Sequence, residues 1–110
     1  ETVFLIITFF FNNLGTAYLT IGNIEKAYEN FEHSAKIDPN NGLTLFNIAS
    51  ILQLQNKHKE ACEYFAKAYL LDPSDTYLTA LALSEVKIKN FEKAISHYKI
   101  LVTHHPEKQT

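Results

Sequence analysis

Five histidines, His33, His58, His97, His104 and His105, and one cysteine, Cys62, are the side chains of this sequence best suited to metal binding or nucleophilic chemistry. His104-His105 is the most tempting pair. Adjacent residues on a helix or turn point about 100° or more apart, so the two are not expected to face one site, and neither a cysteine nor a carboxylate cluster stands nearby at ligand spacing. His105 instead takes the place that Asp38 and Asp72 hold before a proline, which marks it as a turn residue. Cys62 directly follows Ala61 in a helical stretch, and no recognisable motif arranges a histidine around it, so it reads as packing. Glu25, Glu29, Glu32, Glu60, Glu63 and Glu92 interleave with Lys26, Lys59 and Lys93, the pattern of a solvated helix face. No catalytic pair, metal site or cofactor is expected, and the chain reads as non-enzymatic.

What these residues sit on follows from composition and periodicity. With 110 residues, 46% hydrophobic and 20% charged, the chain has the size and balance of one globular domain. Three glycines and three prolines are too few for the frequent turns of a β-sandwich, so helix is favoured. A net charge of −2 offers no general attraction to phosphate, which argues against nucleic acid. A single cysteine cannot form an internal disulfide, and a reducing, cytoplasmic setting is expected. The N-terminus has neither the basic leader nor the small-residue cleavage site of a secretory signal. The apolar run from Val3 to Phe11 would reach roughly 14 Å as helix, about half a hydrocarbon core, and no membrane span is expected. Glu1 in place of an initiator, in a sequence without Met, implies a fragment or a processed chain.

Internal repetition sets the organisation. Pro39, Pro73 and Pro106 are spaced by 34 and 33 residues, and before each a small residue and an aromatic recur one helical turn apart: Ala27 with Phe31, Ala61 with Phe65, Ala94 with Tyr98. Further back stand Leu14-Gly15, Ile48-Ala49 and Leu81-Ala82, each preceded at three residues by Phe11, Leu45 or Leu78. Each unit divides into two helical stretches, broken near Gly22-Asn23, Gln55-Asn56 and Lys89-Asn90. Two antiparallel helices approach closely only where a side chain is nearly absent, so Gly15, Ala49 and Ala82 are expected to receive the aromatic of the partner helix. Such a hairpin buries one side of itself and needs a neighbour for the other, which leads to stacking.

This spacing of aromatic, Leu-Gly, Tyr, Ala, Phe and Pro resembles the tetratricopeptide repeat. Phe11, Leu14, Gly15, Tyr18, Ala27, Phe31 and Pro39 carry it in the first unit. Leu52 stands where the second unit should have its tyrosine, and Glu85 stands there in the third. The resemblance spans residues 8–107 and divides the chain into an apolar helical extension 1–7, repeats 8–41, 42–74 and 75–107, and a tail 108–110. The rival pentatricopeptide repeat, which reads RNA, typically lacks the closing Asp-Pro and would want a basic stripe.

The resemblance implies an all-α, right-handed solenoid of helical hairpins. Its first helices would line a concave groove that holds an extended or helical segment of another protein. On that geometry Phe9, Asn12, Asn13, Thr16 and Thr20 line the groove in the first unit, Phe46, Asn47, Ser50 and Gln53 in the second, and Thr79, Leu83 and Lys87 in the third. Asn side chains can hydrogen-bond both polar groups of a peptide backbone, and Phe9 and Phe46 would anchor apolar side chains. Members of the family that grip the acidic tail of chaperones use basic residues and asparagines. The corresponding positions here are Asn12, Thr16, Asn47, Thr76 and Ala80, of which only Asn47 fits, so that ligand is disfavoured.

The N-terminal run is apolar all round, with Val3, Phe4, Ile7 and Phe11 on one stripe and Leu5, Ile6 and Phe9 on the other side. A helix of that kind must be covered on every side, by an upstream repeat or by a second copy of the chain. The expected function is a protein-interaction scaffold. The alternatives are a regulatory or substrate-docking module of a larger enzyme, and a self-association unit forming a homodimer through Val3, Phe4, Ile7 and Phe11.

Overall fold

The computed structural model describes residues 2–106; Glu1, the end of the third expected repeat at Glu107 and the tail 108–110 lie outside the described residues. Six helices follow one another: α1 (Thr2–Thr20), α2 (Ile24–Ile37), α3 (Gly42–Leu54), α4 (His58–Leu71), α5 (Asp75–Lys87) and α6 (Phe91–Thr103). They form three antiparallel hairpins, with every described element helical. The helices pack chiefly on their neighbours in sequence, and α2 against α3 and α4 against α5 seat the second hairpin between the first and third. The radius of gyration, 15.0 Å, exceeds the about 13 Å of a compact domain of this length, as stacking along one axis requires.

Local chemistry explains where each helix stops. The turn inside every hairpin carries one left-handed residue, Gly22 (φ 88), Asn56 (φ 62) and Lys89 (φ 66). In each turn the amide after it closes back on the helix: Asn23 N–H donates to Tyr18 O at 2.8 Å, Lys57 to Leu52 O at 2.9 Å, and Asn90 to Glu85 O at 2.8 Å. Glycine takes that conformation freely and asparagine readily, whereas lysine is strained there. Between hairpins, Asp38 and Asp72 are extended, and Pro39 and Pro73 then forbid further helix. Side-chain caps restart the chain at Asn23, Asn41 and Ser74, which accept from Lys26, Thr44 and Tyr77 amides.

At Gly15 the first helix receives the aromatic of its partner as the spacing predicts. A methyl group built on Gly15 would lie 2.5 Å from Phe31 Cε1, and Phe31 is wholly buried. Ala49 and Ala82 are equally buried, with Ala61, Phe65, Leu78 and Leu81 in and around the same core. That core centres on α3, which is covered on both sides and buries Thr44, Leu45, Ile48, Ala49, Ile51 and Leu52, whereas α6 at the end buries only Ala94.

Two expectations about the N-terminus change. The apolar run is part of a continuous helix of 19 residues, about 28 Å long, so α1 is long and apolar enough to cross a membrane and the length argument against a span fails. The helix nevertheless packs one side on α2 and buries Thr8, Asn12 and Gly15. The stripe assigned to self-association is also divided. Val3 and Phe4 are exposed, but Ile7 and Phe11 are half-buried, Phe11 stacking on His33 at 5.2 Å between ring centres. Leu5, Ile6, Phe9, Phe10 and Leu14 complete the exposed apolar set, because a helix packed on one partner turns only about a third of its surface inward.

Candidate functional site

The residues expected to line a groove lie on α1, α3 and α5, the first helices of the three hairpins. Phe9, Asn13, Thr16, Thr20, Thr79, Leu83 and Lys87 are exposed, and Asn47, Ser50 and Gln53 are half-buried. Three of the four hydroxyl protons of this set, all but that of Thr79, are committed within their own helices. Thr16 donates to Asn12 O at 2.9 Å, Thr20 to Thr16 O at 2.9 Å, and Ser50 to Phe46 O at 3.0 Å. What these hydroxyls offer outward is therefore lone pairs, while the donors are the amides of Asn13, Asn47 and Gln53 and the ammonium of Lys87. Such a surface can accept and donate along a peptide backbone without demanding a charge.

Two expected groove residues are instead structural. Asn12 is only 4% exposed. Its Oδ1 accepts from Thr44 Oγ1 at 3.1 Å, and the Thr44 oxygen lies 3.1 Å from Ser34 Oγ. Since the single Thr44 proton goes to Asn12, Ser34 must donate to Thr44, and its 3.4 Å approach to Thr8 O is the secondary contact. This chain of side chains ties α1, α2 and α3 together beneath the surface. Phe46 also turns inward, stacked on Tyr77 with ring centres 4.8 Å apart and tilted against Phe65 at 5.4 Å. It joins the second hairpin to the third. Burial first, and the Asp72 carboxylate second, push the Tyr77 phenol above its ordinary pKa. The sequence carried a signal for the buried network that the repeat pattern obscured: Thr44 is a hydroxyl where the first and third units have the aromatics Phe10 and Tyr77.

The departure at Glu85 is absorbed by another one. Glu85 is 3% exposed, and His97 Nδ1 lies 2.8 Å from its Oε1. The equivalent partners are Tyr18 with Asn30 in the first hairpin and Leu52 with Tyr64 in the second, so the third hairpin exchanges both positions for a hydrogen-bonded polar pair. His104 and His105 correct a further expectation, because both reach one residue. His104 Nδ1 meets Asp75 Oδ1 at 2.7 Å and His105 Nε2 meets Oδ2 at 2.9 Å. The helix ends at Thr103, so His105 has already left it, and different ring nitrogens span the two distances. The two hydrogen bonds hold the Asp75 carboxyl below the usual carboxylate range. Among the described residues no group of three His, Cys, Asp or Glu side chains is arranged to hold a metal ion.

Comparison with known proteins agrees with this architecture. A domain described as the second TPR of Spaghetti (RPAP3) bound to HSP90 peptide SRMEEVD superposes with a TM-score of 0.80 at 19% identity, covering 88% of this chain and 91% of that one. The first TPR of Spaghetti, bound to the same peptide, gives 0.81 at 20% identity over 91% and 80% of the two chains. The Arabidopsis OM64 TPR domain gives 0.81 at 14% identity over 96% and 88%. A search of curated proteins finds no match. The sequence profile of the tetratricopeptide repeat matches residues 10–41 and again 42–75, and the chain belongs to the tetratricopeptide repeat family.

Proposed function

We propose that the chain is a non-enzymatic scaffold that holds a segment of a partner protein along the exposed sides of α1, α3 and α5. The observation that carries this reading is the row of uncommitted amides, Asn13, Asn47 and Gln53, together with outward-facing hydroxyl lone pairs on the same helices. Backbone-directed hydrogen bonds give affinity without strong sequence demand, and Phe9 and Leu83 add exposed apolar surface. Lys87 supplies the cation on this set. The acidic chaperone peptide held by the two Spaghetti domains is a poor fit. Thr16, Thr76 and Ala80 present no cation at its clamp positions, and Asn12 is engaged with Thr44. The test is affinity capture from a native extract with the wild-type chain and with Asn13→Ala, Asn47→Ala and Gln53→Ala combined. Loss of specific partners from a variant of unchanged helicity is expected, and an unchanged set would refute the reading. Titration with SRMEEVD is expected to give no binding tighter than about 1 mM, since each missing charge-assisted bond costs about 1.5–3 kcal/mol.

A second reading rests on α1. Val3, Phe4, Leu5, Ile6, Phe9 and Phe10 are exposed together near its start, a larger apolar patch than monomers usually leave in water. A homodimer through this part of α1 would cover it. Light scattering over a dilution series decides the matter: a concentration-dependent dimer supports it, and a monodisperse monomer ends it.

A further inference from the structure

The exchange at Glu85 and His97 builds more than an internal hydrogen bond. The pair lies at a cavity of about 450 Å³ between α4 and α6 with α5 beneath it, within the usual range of about 300–1,000 Å³ for ligand pockets. Its apolar walls are Tyr69, Leu70 and Leu81. Glu92 and Lys93 border it with opposite charges, so Glu85 leaves the cavity one net negative charge when His97 is neutral.

The hydrogen-bond inventory fixes what this cavity asks for. When His97 donates its Nδ1 proton to Glu85 Oε1, the other ring nitrogen is left as an acceptor. No described residue hydrogen-bonds the second carboxylate oxygen of Glu85. Glu85 is only 3% exposed, and its second oxygen is not sealed among protein atoms, so that oxygen opens towards the cavity and stays free to accept a further donor. With His97 neutral, the site therefore combines hydrocarbon walls with two acceptors, and Lys93, the cation at its border, is offset by Glu92. Its complement is a donor-only cation on an apolar stem. A guanidinium fits better than an ammonium, because it is more weakly hydrated, presents a planar fork of donors to a carboxylate, and stacks on an aromatic ring such as Tyr69.

We propose that the cavity between α4 and α6 receives an arginine side chain of a partner polypeptide, with Glu85 accepting the guanidinium and Tyr69, Leu70 and Leu81 enclosing its stem. This site involves the second helices of the hairpins and stands independently of the groove. The first and second hairpins lack it, since Tyr18 with Asn30 and Leu52 with Tyr64 place no carboxylate at the equivalent position.

The test is an NMR titration of the 110-residue chain with two probes: n-butylguanidinium, and a blocked Ala-Ala-Arg-Ala-Ala peptide. Both are expected to shift the His97 and Tyr69 ring resonances saturably, the peptide more tightly. The same peptide with citrulline for arginine, which keeps the shape without the charge, is expected to bind at least about tenfold more weakly. Glu85→Gln should weaken the arginine peptide by a similar factor. Should that buried change disturb folding, Leu70→Lys provides the second variant: Leu70 is 80% exposed, and a rim cation there should weaken binding about tenfold without altering the melting temperature. Equal binding of the arginine and citrulline peptides, unsaturable shifts, or full affinity in the Leu70→Lys chain would overturn the proposal. Binding of n-butylguanidinium without the peptide would overturn the assignment to a polypeptide partner.

Discussion

Gly15→Ala separates two opposing effects by sign. Gly15 lies inside α1, where replacing glycine by alanine ordinarily stabilises a helix by about 1 kcal/mol. Here the added methyl would stand 2.5, 2.7 and 2.9 Å from three carbons of the Phe31 ring. Relaxed carbon contacts lie at about 3.5–4.0 Å, so the ring or the whole helix must move by roughly 1 Å. Phe31 has no exposed surface to move into. Overpacking of this kind costs about 1–3 kcal/mol, and a rigid buried ring places it at the upper end. The net expectation is a loss of about 1–2 kcal/mol, or a fall in Tm of roughly 4–8 °C for a domain of this size. Urea denaturation and thermal melting followed by far-UV circular dichroism measure it. Phe31→Leu in the same chain should relieve the clash, so the double variant is expected to be at least about 1 kcal/mol more stable than the sum of the single changes predicts. A Gly15→Ala chain that melts higher than wild type would show that the helices are not in close approach there, and the reasoning would be wrong.

Three further outcomes are expected. Thr44→Val deprives Asn12 Oδ1 of its donor inside the protein and should cost about 1–3 kcal/mol in urea denaturation, most of it recovered when Asn12→Leu is added. Lys89→Gly relieves the left-handed strain at φ 66 and should raise stability by about 1 kcal/mol, whereas the same change at an ordinary helical lysine lowers it. Asp75 has a depressed folded-state pKa, so its contribution is present above the unfolded carboxylate value and is lost as pH falls through the folded one. Carbon-detected NMR should therefore place its titration lower in wild type than in the His104→Gln/His105→Gln chain. The stability advantage of wild type over that chain should shrink as the medium is acidified through the same interval.

The hairpins, their breaks and the close approach at Gly15 were legible because each rests on local chemistry. A proline cannot continue a helix, a left-handed turn favours Gly or Asn, and an Ala-x-x-x-Phe spacing sets one residue above another on one face. The repeat also located the oddities, Glu85 and the paired histidines, without showing what they meet. Glu85 is 12 residues from His97, and Asp75 is 29 from His104, and periodicity within one helix says nothing about partners on another.

The residues of this chain by themselves determined where six helices begin and end and that three similar hairpins must stack, since those outcomes follow from backbone sterics and from an apolar face that one hairpin cannot cover. Only tertiary packing decided which polar side chains remain available. Asn12 and Asn13 are chemically identical and adjacent, yet one is sealed against Thr44 and the other faces water. The difference is a rotation of about 100° along the helix, and its consequence depends on a third helix that arrives more than thirty residues later in the sequence.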